Sequence, residues 1–112
     1  MGISTHVLDQ GLGRPAAGVG VVLEFDDYGE WATVTRANTD ADGRVKALIT
    51  EPAQLVAGEY RLTFALDRYF TEQGKTAFYP LAVVQFRVSD AAGHYHIPLL
   101  LNQFGYSTYR GS

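Results

Sequence analysis

The chain has 112 residues, 46% of them hydrophobic and 19% charged, which supports a single domain over residues 1–112 with one hydrophobic core. Its formal net charge of −3 offers no basic surface to attract nucleic acid, and its lack of cysteines excludes disulfide and thiolate chemistry. No segment approaches the ~18 consecutive apolar residues of a membrane span, and the first residues lack an export signal, so we expect a cytoplasmic protein that does not contact membranes.

The first third of the chain predicts three strands separated by turn residues. Ile3 to Leu8 alternates in polarity and places His6 on the more polar face. After a loop rich in glycine, Val19–Phe25 and Trp31–Arg36 are two further strands. The five residues between them are few enough to form a hairpin loop.

Residues 38–43 resemble the start of a calcium-binding loop. However, the first ligand position is Asn38 instead of an aspartate, and the twelfth falls on Ile49, where a bidentate glutamate is required. We therefore interpret Asp42 and Gly43 as a tight turn that leads into a strand over Arg44–Ile49.

The middle of the chain carries the strongest helix signals. Thr50 is a suitable N-cap, Pro52 lies in the first turn and Gly58 follows the last, so a helix of about two turns is predicted over Thr50–Gly58. Tyr60–Ala65 and Leu81–Val88 are predicted strands, and the residues between them are interpreted as a connection of mixed character.

The C-terminal region begins with a strand whose two faces differ. One face carries His94, His96, Pro98 and Leu100, whereas the other carries four residues typical of a core: Tyr95, Ile97, Leu99 and Leu101. A turn and a last strand over Tyr106–Tyr109 follow. About eight short strands and one short helix predict an all-β sandwich.

The histidines allow two interpretations. His94 and His96 would lie ~6.5 Å apart on one strand face and, with His6, would provide the three ligands of a zinc site. The nearby arginines and the absence of an identifiable carboxylate partner for the histidines argue against zinc. From spacing alone, His6 and Arg44 are also compatible with solvated surface positions, and Tyr109 with packing on a sheet face.

Four segments carry a resemblance to a known family. They are residues 4–9 (STHVLD), 13–16 (GRPA), 39–44 (TDADGR) and 106–112 (YSTYRGS). Together they resemble the transthyretin-related 5-hydroxyisourate hydrolases, and the terminal Tyr-Arg-Gly-Ser is the most specific of these marks. Transthyretin itself, a hormone carrier, lacks this tetrapeptide and the catalytic histidines, so the resemblance favours the enzyme branch.

The resemblance implies a transthyretin-like sandwich of two four-stranded sheets with one short helix, assembled as a homotetramer (a dimer of dimers) with active sites between subunits. It implies hydrolysis of 5-hydroxyisourate to 2-oxo-4-hydroxy-4-carboxy-5-ureidoimidazoline in urate catabolism, without a cofactor or metal. The alternative is a transthyretin-like carrier that binds a small aromatic ligand without turnover.

The resemblance also implies roles for seven residues. The catalytic residues are His6, Arg44, His96 and Ser112, and the substrate-binding residues are Tyr109, Arg110 and Gly111. A histidine is suited to activate water near neutral pH, and an arginine provides a planar fork of donors for an oxyanion. Ser112 offers a hydroxyl and the terminal carboxylate to orient a histidine or the water. Which histidine acts as the base stays open, and the third, His94, has no implied role.

Overall fold

The computed structural model describes residues 2–49, 51 and 54–112, which form two β-sheets and one short helix. The strands are β1 (Gly2–Asp9), β2 (Arg14–Pro15), β3 (Gly20–Asp27), β4 (Glu30–Asn38), β5 (Arg44–Val45), β6 (Gly58–Ala65), β7 (Leu81–Val88), β8 (His94–Asn102) and β9 (Gly105–Thr108). The helix is α1 (Asp67–Thr71).

The strands form a two-layer sandwich. One sheet is antiparallel with the order β4-β3-β6-β7, and the other has the order β2-β1-β8-β9, with β5 also paired to β1. Strands β1 and β8 run parallel, whereas β8 and β9 are antiparallel. The predicted all-β sandwich is confirmed. The first sheet has the predicted four strands, and the described part of the second has five because Arg14–Pro15, expected to be loop, also pairs with β1.

The core lies between the two sheets. The predicted core face of β8 is confirmed, because each of its members is at most 5% exposed: Tyr95, Ile97, Leu99 and Leu101. Fully burying one such aliphatic side chain contributes about 1.5–3 kcal/mol relative to leaving it in water. Burial of this face leaves the opposite face of β8, with both of its histidines, on the outside of the sandwich.

The helix lies in a different place from the one predicted. Thr50, Pro52 and Ala53 lie outside the described residues, the N–H of Gln54 donates to the carbonyl of Glu51 (2.9 Å), and β6 already begins at Gly58. The described helix is α1, within the segment interpreted as a connection.

Burial explains the position of α1, which has no side-chain N-cap. Leu66 and Phe70, four residues apart, are 1% and 2% exposed. Their packing into the core therefore stabilises the helix, which no capping side chain does. α1 is five residues long. The described chain contains no helix with the length and apolar character needed to cross a bilayer.

Strand β5 is shorter than predicted and ends at Val45 instead of Ile49. Leu48 and Ile49 are both buried, although an edge strand with one solvent face would expose one of two consecutive side chains. The chain therefore leaves the regular ladder after Val45, and the N–H of Leu48 donates to the carbonyl of Ile3 (2.8 Å).

The hairpin predicted between Val19–Phe25 and Trp31–Arg36 is confirmed as the β3–β4 hairpin. It is tighter than expected, because β3 ends at Asp27 and β4 begins at Glu30. The two residues between them, Tyr28 and Gly29, have φ angles of 54° and 90°. Positive φ at both central residues is the mark of a type I′ turn, whose twist matches that of the strands that it joins.

Candidate active site

Strand pairing gathers residues from distant parts of the chain on the outer face of the β1–β8 sheet. In the parallel ladder, Ser4 pairs with His96 and Gly2 with His94. On the other side of β1, His6 pairs with Arg44 of β5. Paired residues point to the same face of a sheet, so Ser4, His6, Arg44 and both histidines of β8 share one surface.

An open cleft of about 230 Å³ lies on this surface. Its lining comes from β1, β5 and the residue after it, β8 and residue 112: Ser4, Thr5, Arg44, Lys46, His94, His96 and Ser112. The cleft therefore unites three of the four predicted catalytic residues, and the fourth, His6, lies beside Arg44 in the ladder.

A hydrogen-bonded turn presents Arg44 to this cleft. The carboxylate of Asp40 accepts hydrogen bonds from the N–H groups of Asp42 and Arg44, both at 2.9 Å. The Arg44 bond is the largest cause that lowers the pKa of Asp40 below its ordinary value. Gly43 has a φ of 74° and lies against the carbonyl of Val7, where a side chain would not fit. The predicted Asp42–Gly43 turn is confirmed.

His96 is the histidine held most firmly. Its Nδ1 lies 2.8 Å from Oγ of Ser4, and its carbonyl accepts the N–H of Gly111 (2.8 Å). Burial of the ring is the largest cause that lowers the pKa of His96 below its ordinary value of 6.5. The positive charges of Arg44, His6 and His94 act in the same direction. A lowered pKa keeps the imidazole neutral, and therefore basic, near neutral pH.

His6 is oriented by the main chain of the turn. Its Nε2 lies 2.9 Å from the carbonyl oxygen of Asp42. Because a carbonyl oxygen can only accept, Nε2 carries the hydrogen and the lone pair of the neutral ring is on Nδ1.

The terminal tetrapeptide divides between two sides of the molecule. Ser112 lines the cleft, whereas Tyr109 and Arg110 line a separate cavity of about 250 Å³ at the edges of β7 and β9. The Arg110 guanidinium lies 4.7 Å from the centre of the Tyr95 ring, as a cation–π contact. Within one chain, these two predicted substrate-binding residues do not reach the cleft.

Four lining residues were not predicted as functional: Ser4, Thr5, Lys46 and His94. Lys46 follows Arg44 at the spacing of one strand face, so its position was readable from the sequence. His94 was noted without a role. Ser4 begins the family-like segment 4–9 and shares a strand face with His6, but its pairing with a residue 92 positions away is visible only in the structure.

The cleft has a positive character. Its lining contains the cations Arg44 and Lys46 and two histidines, with no aspartate or glutamate among the described lining residues. Within the described ranges, no three His, Cys, Asp or Glu side chains are arranged to hold a metal ion. This arrangement suits a flat, electron-rich or anionic ligand with carbonyl oxygens.

A model of the HIUase/Transthyretin family matches residues 3–111. The chain belongs to the HIUase/Transthyretin family. A relative from Salmonella typhimurium, named 5-hydroxyisourate hydrolase, is 47% identical over 110 residues, which are 98% of this chain and 80% of the relative. The family resemblance expected from the sequence is therefore confirmed.

Solved structures of both branches of the HIUase/Transthyretin family are similar to this fold. The Klebsiella pneumoniae 5-hydroxyisourate hydrolase has a TM-score of 0.87 and 37% identity, covering 100% of each chain. Transthyretin from Sparus aurata has a TM-score of 0.91 and 36% identity, covering 97% of this chain and 95% of the other. Because both branches have the same fold, the fold does not decide between an enzyme and a carrier. That decision depends on the side chains of the cleft.

Proposed function

We propose that this member of the family is a 5-hydroxyisourate hydrolase of urate catabolism, whose product is 2-oxo-4-hydroxy-4-carboxy-5-ureidoimidazoline. The observation that carries the proposal is the cleft itself, where a neutral, hydrogen-bonded His96 opens on the same space as Arg44. Curated relatives named 5-hydroxyisourate hydrolase, at 47% and 43% identity over nearly the whole chain, support it.

His96 is the base in this mechanism. Its Nδ1 is engaged by Ser4, so Nε2 is the atom available to a water molecule in the cleft. As that water oxygen adds to the carbonyl carbon of the cyclic amide, Nε2 takes its proton. A base positioned in this way is typically worth ~10²–10⁴-fold in rate.

Arg44 stabilises the negative charge that develops on the carbonyl oxygen. Its guanidinium provides parallel N–H donors, and Lys46 adds a second positive charge in the same cleft. When the carbonyl reforms, the C–N bond of the ring breaks and the leaving nitrogen accepts the proton held by His96. Water is consumed, a carboxyl group forms, and the imidazole returns to its neutral state.

The remaining site assignments stay predictions of the family resemblance. Ser112 lines the cleft and so is within the region where its hydroxyl would orient the water or the substrate. His6, with its lone pair on Nδ1, is beside Arg44 and is assigned to the same catalytic group. Tyr109, Arg110 and Gly111 are assigned to substrate binding, which for the first two requires a surface outside the single-chain cleft.

The proposal includes a homotetramer built as a dimer of dimers. In the described chain, β7 pairs only with β6 and β9 only with β8, so both strands have a free edge. Exposed aromatic side chains cluster near these edges: Phe78, Tyr79, Phe104, Tyr106 and Tyr109. Free strand edges beside apolar surface favour pairing with a second copy. Light scattering after size exclusion tests this, and a monomer at assay concentrations would contradict it.

The proposed compartment is the cytoplasm, and the proposed reaction needs no cofactor. The lack of cysteines suits a reducing compartment, and general-base hydrolysis by His96 requires neither metal nor organic cofactor. Cell fractionation with an antibody to the chain tests the location, and recovery of the protein in a secreted fraction would contradict it.

The function is tested by generating 5-hydroxyisourate with urate oxidase and following its ultraviolet decay with and without this protein. Spontaneous decay is the baseline. Wild type should accelerate decay, whereas His96→Ala should return it towards the baseline while its circular dichroism spectrum is unchanged. Binding of the substrate or an analogue without any acceleration by wild type would instead support the carrier.

A further inference from the structure

The imidazole of His96 is contacted along two of its edges by residues from opposite ends of the chain. We infer that Ser4 and Gly111 are positioning residues that hold this ring with Nε2 towards the cleft, and that Ser4 selects the tautomer with its hydrogen on Nδ1. This inference deepens the proposed function and rests on it only for the expected effects on turnover.

The contact between Ser4 and His96 is partly buried, with the serine on its buried side. Ser4 is 5% exposed, and its Oγ lies 2.8 Å from Nδ1 of His96. Nε2 has no hydrogen-bond partner among the described residues and is not among their buried unpartnered atoms, so it is open to solvent. The ring is therefore anchored through one nitrogen and free at the other.

The hydroxyl of Ser4 matches both states of a base. A serine hydroxyl can donate or accept a hydrogen bond, and in the tautomer that we infer it accepts Nδ1–H of the neutral ring, which leaves the lone pair on Nε2. After Nε2 has taken a proton, Nδ1–H is still present and still has its acceptor. The ring can thus pick up and return a proton without rotating or exchanging partners, as a shuttle on Nε2 requires.

Gly111 supports the other edge of the ring. A Cβ atom at this position would lie 2.5 Å from Cδ2 of His96 and 3.2 Å from both its Cγ and Cγ of Pro98. The φ angle of Gly111 is not positive, so the glycine is required for space and not for backbone conformation. Its N–H donates to the carbonyl of His96 (2.8 Å), which holds the tail against the ring.

The charged and titratable groups around His96 are the same in wild type and in variants of Ser4. Arg44 approaches from β5, His6 from β1 and His94 from β8, while Lys46 and Ser112 line the same cleft. Replacing Ser4 changes none of these groups. A change in the tautomer of His96 in such a variant can therefore be assigned to the lost hydroxyl.

The test compares Ser4→Ala and Ser4→Thr with a control, Ser89→Ala. The control also replaces serine with alanine, but at an exposed position outside the cleft. The ring nitrogens of His96 are observed by ¹⁵N NMR and assigned through the His96→Ala spectrum. Ser4→Ala should move the tautomer towards Nε2–H and lower kcat roughly tenfold, the value of one hydrogen bond, with KM within about twofold. Ser4→Thr should restore both properties.

Two results would overturn the role of Ser4. One is a tautomer unchanged in Ser4→Ala, and the other is a raised KM with unchanged kcat. The NMR measurement needs no turnover, so it tests the positioning even if wild type fails to hydrolyse 5-hydroxyisourate. In that event the proposed function fails while the inference about the ring is judged on its own.

Gly111→Ala is compared with Gly20→Ala, whose added Cβ would meet only ordinary contacts at 3.6 Å and 3.7 Å. The Gly111 variant should shift the His96 ring signals and lower kcat at least roughly tenfold, because a displaced base loses its alignment with water. If the ring signals are unchanged and only KM rises, Gly111 acts through substrate contact and the inference is wrong at this position.

Discussion

Replacing Thr39 with valine tests whether the buried Thr39 hydroxyl stabilises the chain next to the turn that presents Arg44. Thr39 is 5% exposed, its hydroxyl donates to the carbonyl of Ala16 (2.6 Å) and it accepts the N–H of Val19 (2.9 Å). Valine has a similar shape but no hydroxyl, so two buried backbone groups lose their partner. At about 1–3 kcal/mol for each unsatisfied group, the free energy of unfolding should fall by about 2–6 kcal/mol.

The assay is urea unfolding followed by circular dichroism at one fixed protein concentration, because association would otherwise alter the apparent stability. The control is Thr33→Val, on the exposed side of edge strand β4, which should change the free energy of unfolding by less than about 0.5 kcal/mol. If Thr39→Val lowers the free energy of unfolding no more than this control does, water or a rearranged loop provides hydrogen bonds to the Ala16 carbonyl and the Val19 N–H. The reasoning is then refuted.

Three further predictions concern the reaction. Burial and nearby positive charge lower the pKa of His96, so its neutral form persists below pH 6.5. We therefore expect kcat/KM to be flat above pH 6.5 and to fall only below it. A fall in kcat/KM centred above pH 6.5 would contradict this prediction. Arg44→Ala should lower kcat by about 10²–10³-fold, the usual cost of losing an oxyanion donor. Arg36→Ala, at an exposed arginine on β4, is its control, and equal effects would exclude a specific role. Overnight chelation should leave the rate unchanged, whereas a loss restored by zinc would revive the three-histidine metal site.

Local patterns predicted much of the fold because alternation of polarity reports which face of a strand is buried. Tyr95 and Leu99 were correctly assigned to the core in this way. The helix was misplaced because its signals were judged by capping residues, whereas α1 is held by the burial of Leu66 and Phe70. Burial of this kind depends on the opposite sheet, which local sequence does not reveal.

The candidate site was predictable in its residue types but not in its assembly. His6, Arg44 and His96 came from the family resemblance, and their proximity depends on β1 pairing with both β5 and β8. No local pattern indicates that Ser4 lies beside His96, because strand pairing is decided by the whole fold. The same holds for Arg110, whose side chain lies on Tyr95 and away from the cleft.

The parallel pairing of β1 with β8 also constrains when activity can appear during biosynthesis. Ser4 is synthesised 92 residues before its partner His96, and the tail that lies against the His96 ring follows later still. Until then β1 lacks the neighbour along which it is paired from Gly2 to Asp9. Such long-range closure is slow compared with hairpin formation, so the β3–β4 hairpin can form co-translationally while the cleft cannot. A nascent chain arrested before His94 would therefore be catalytically silent.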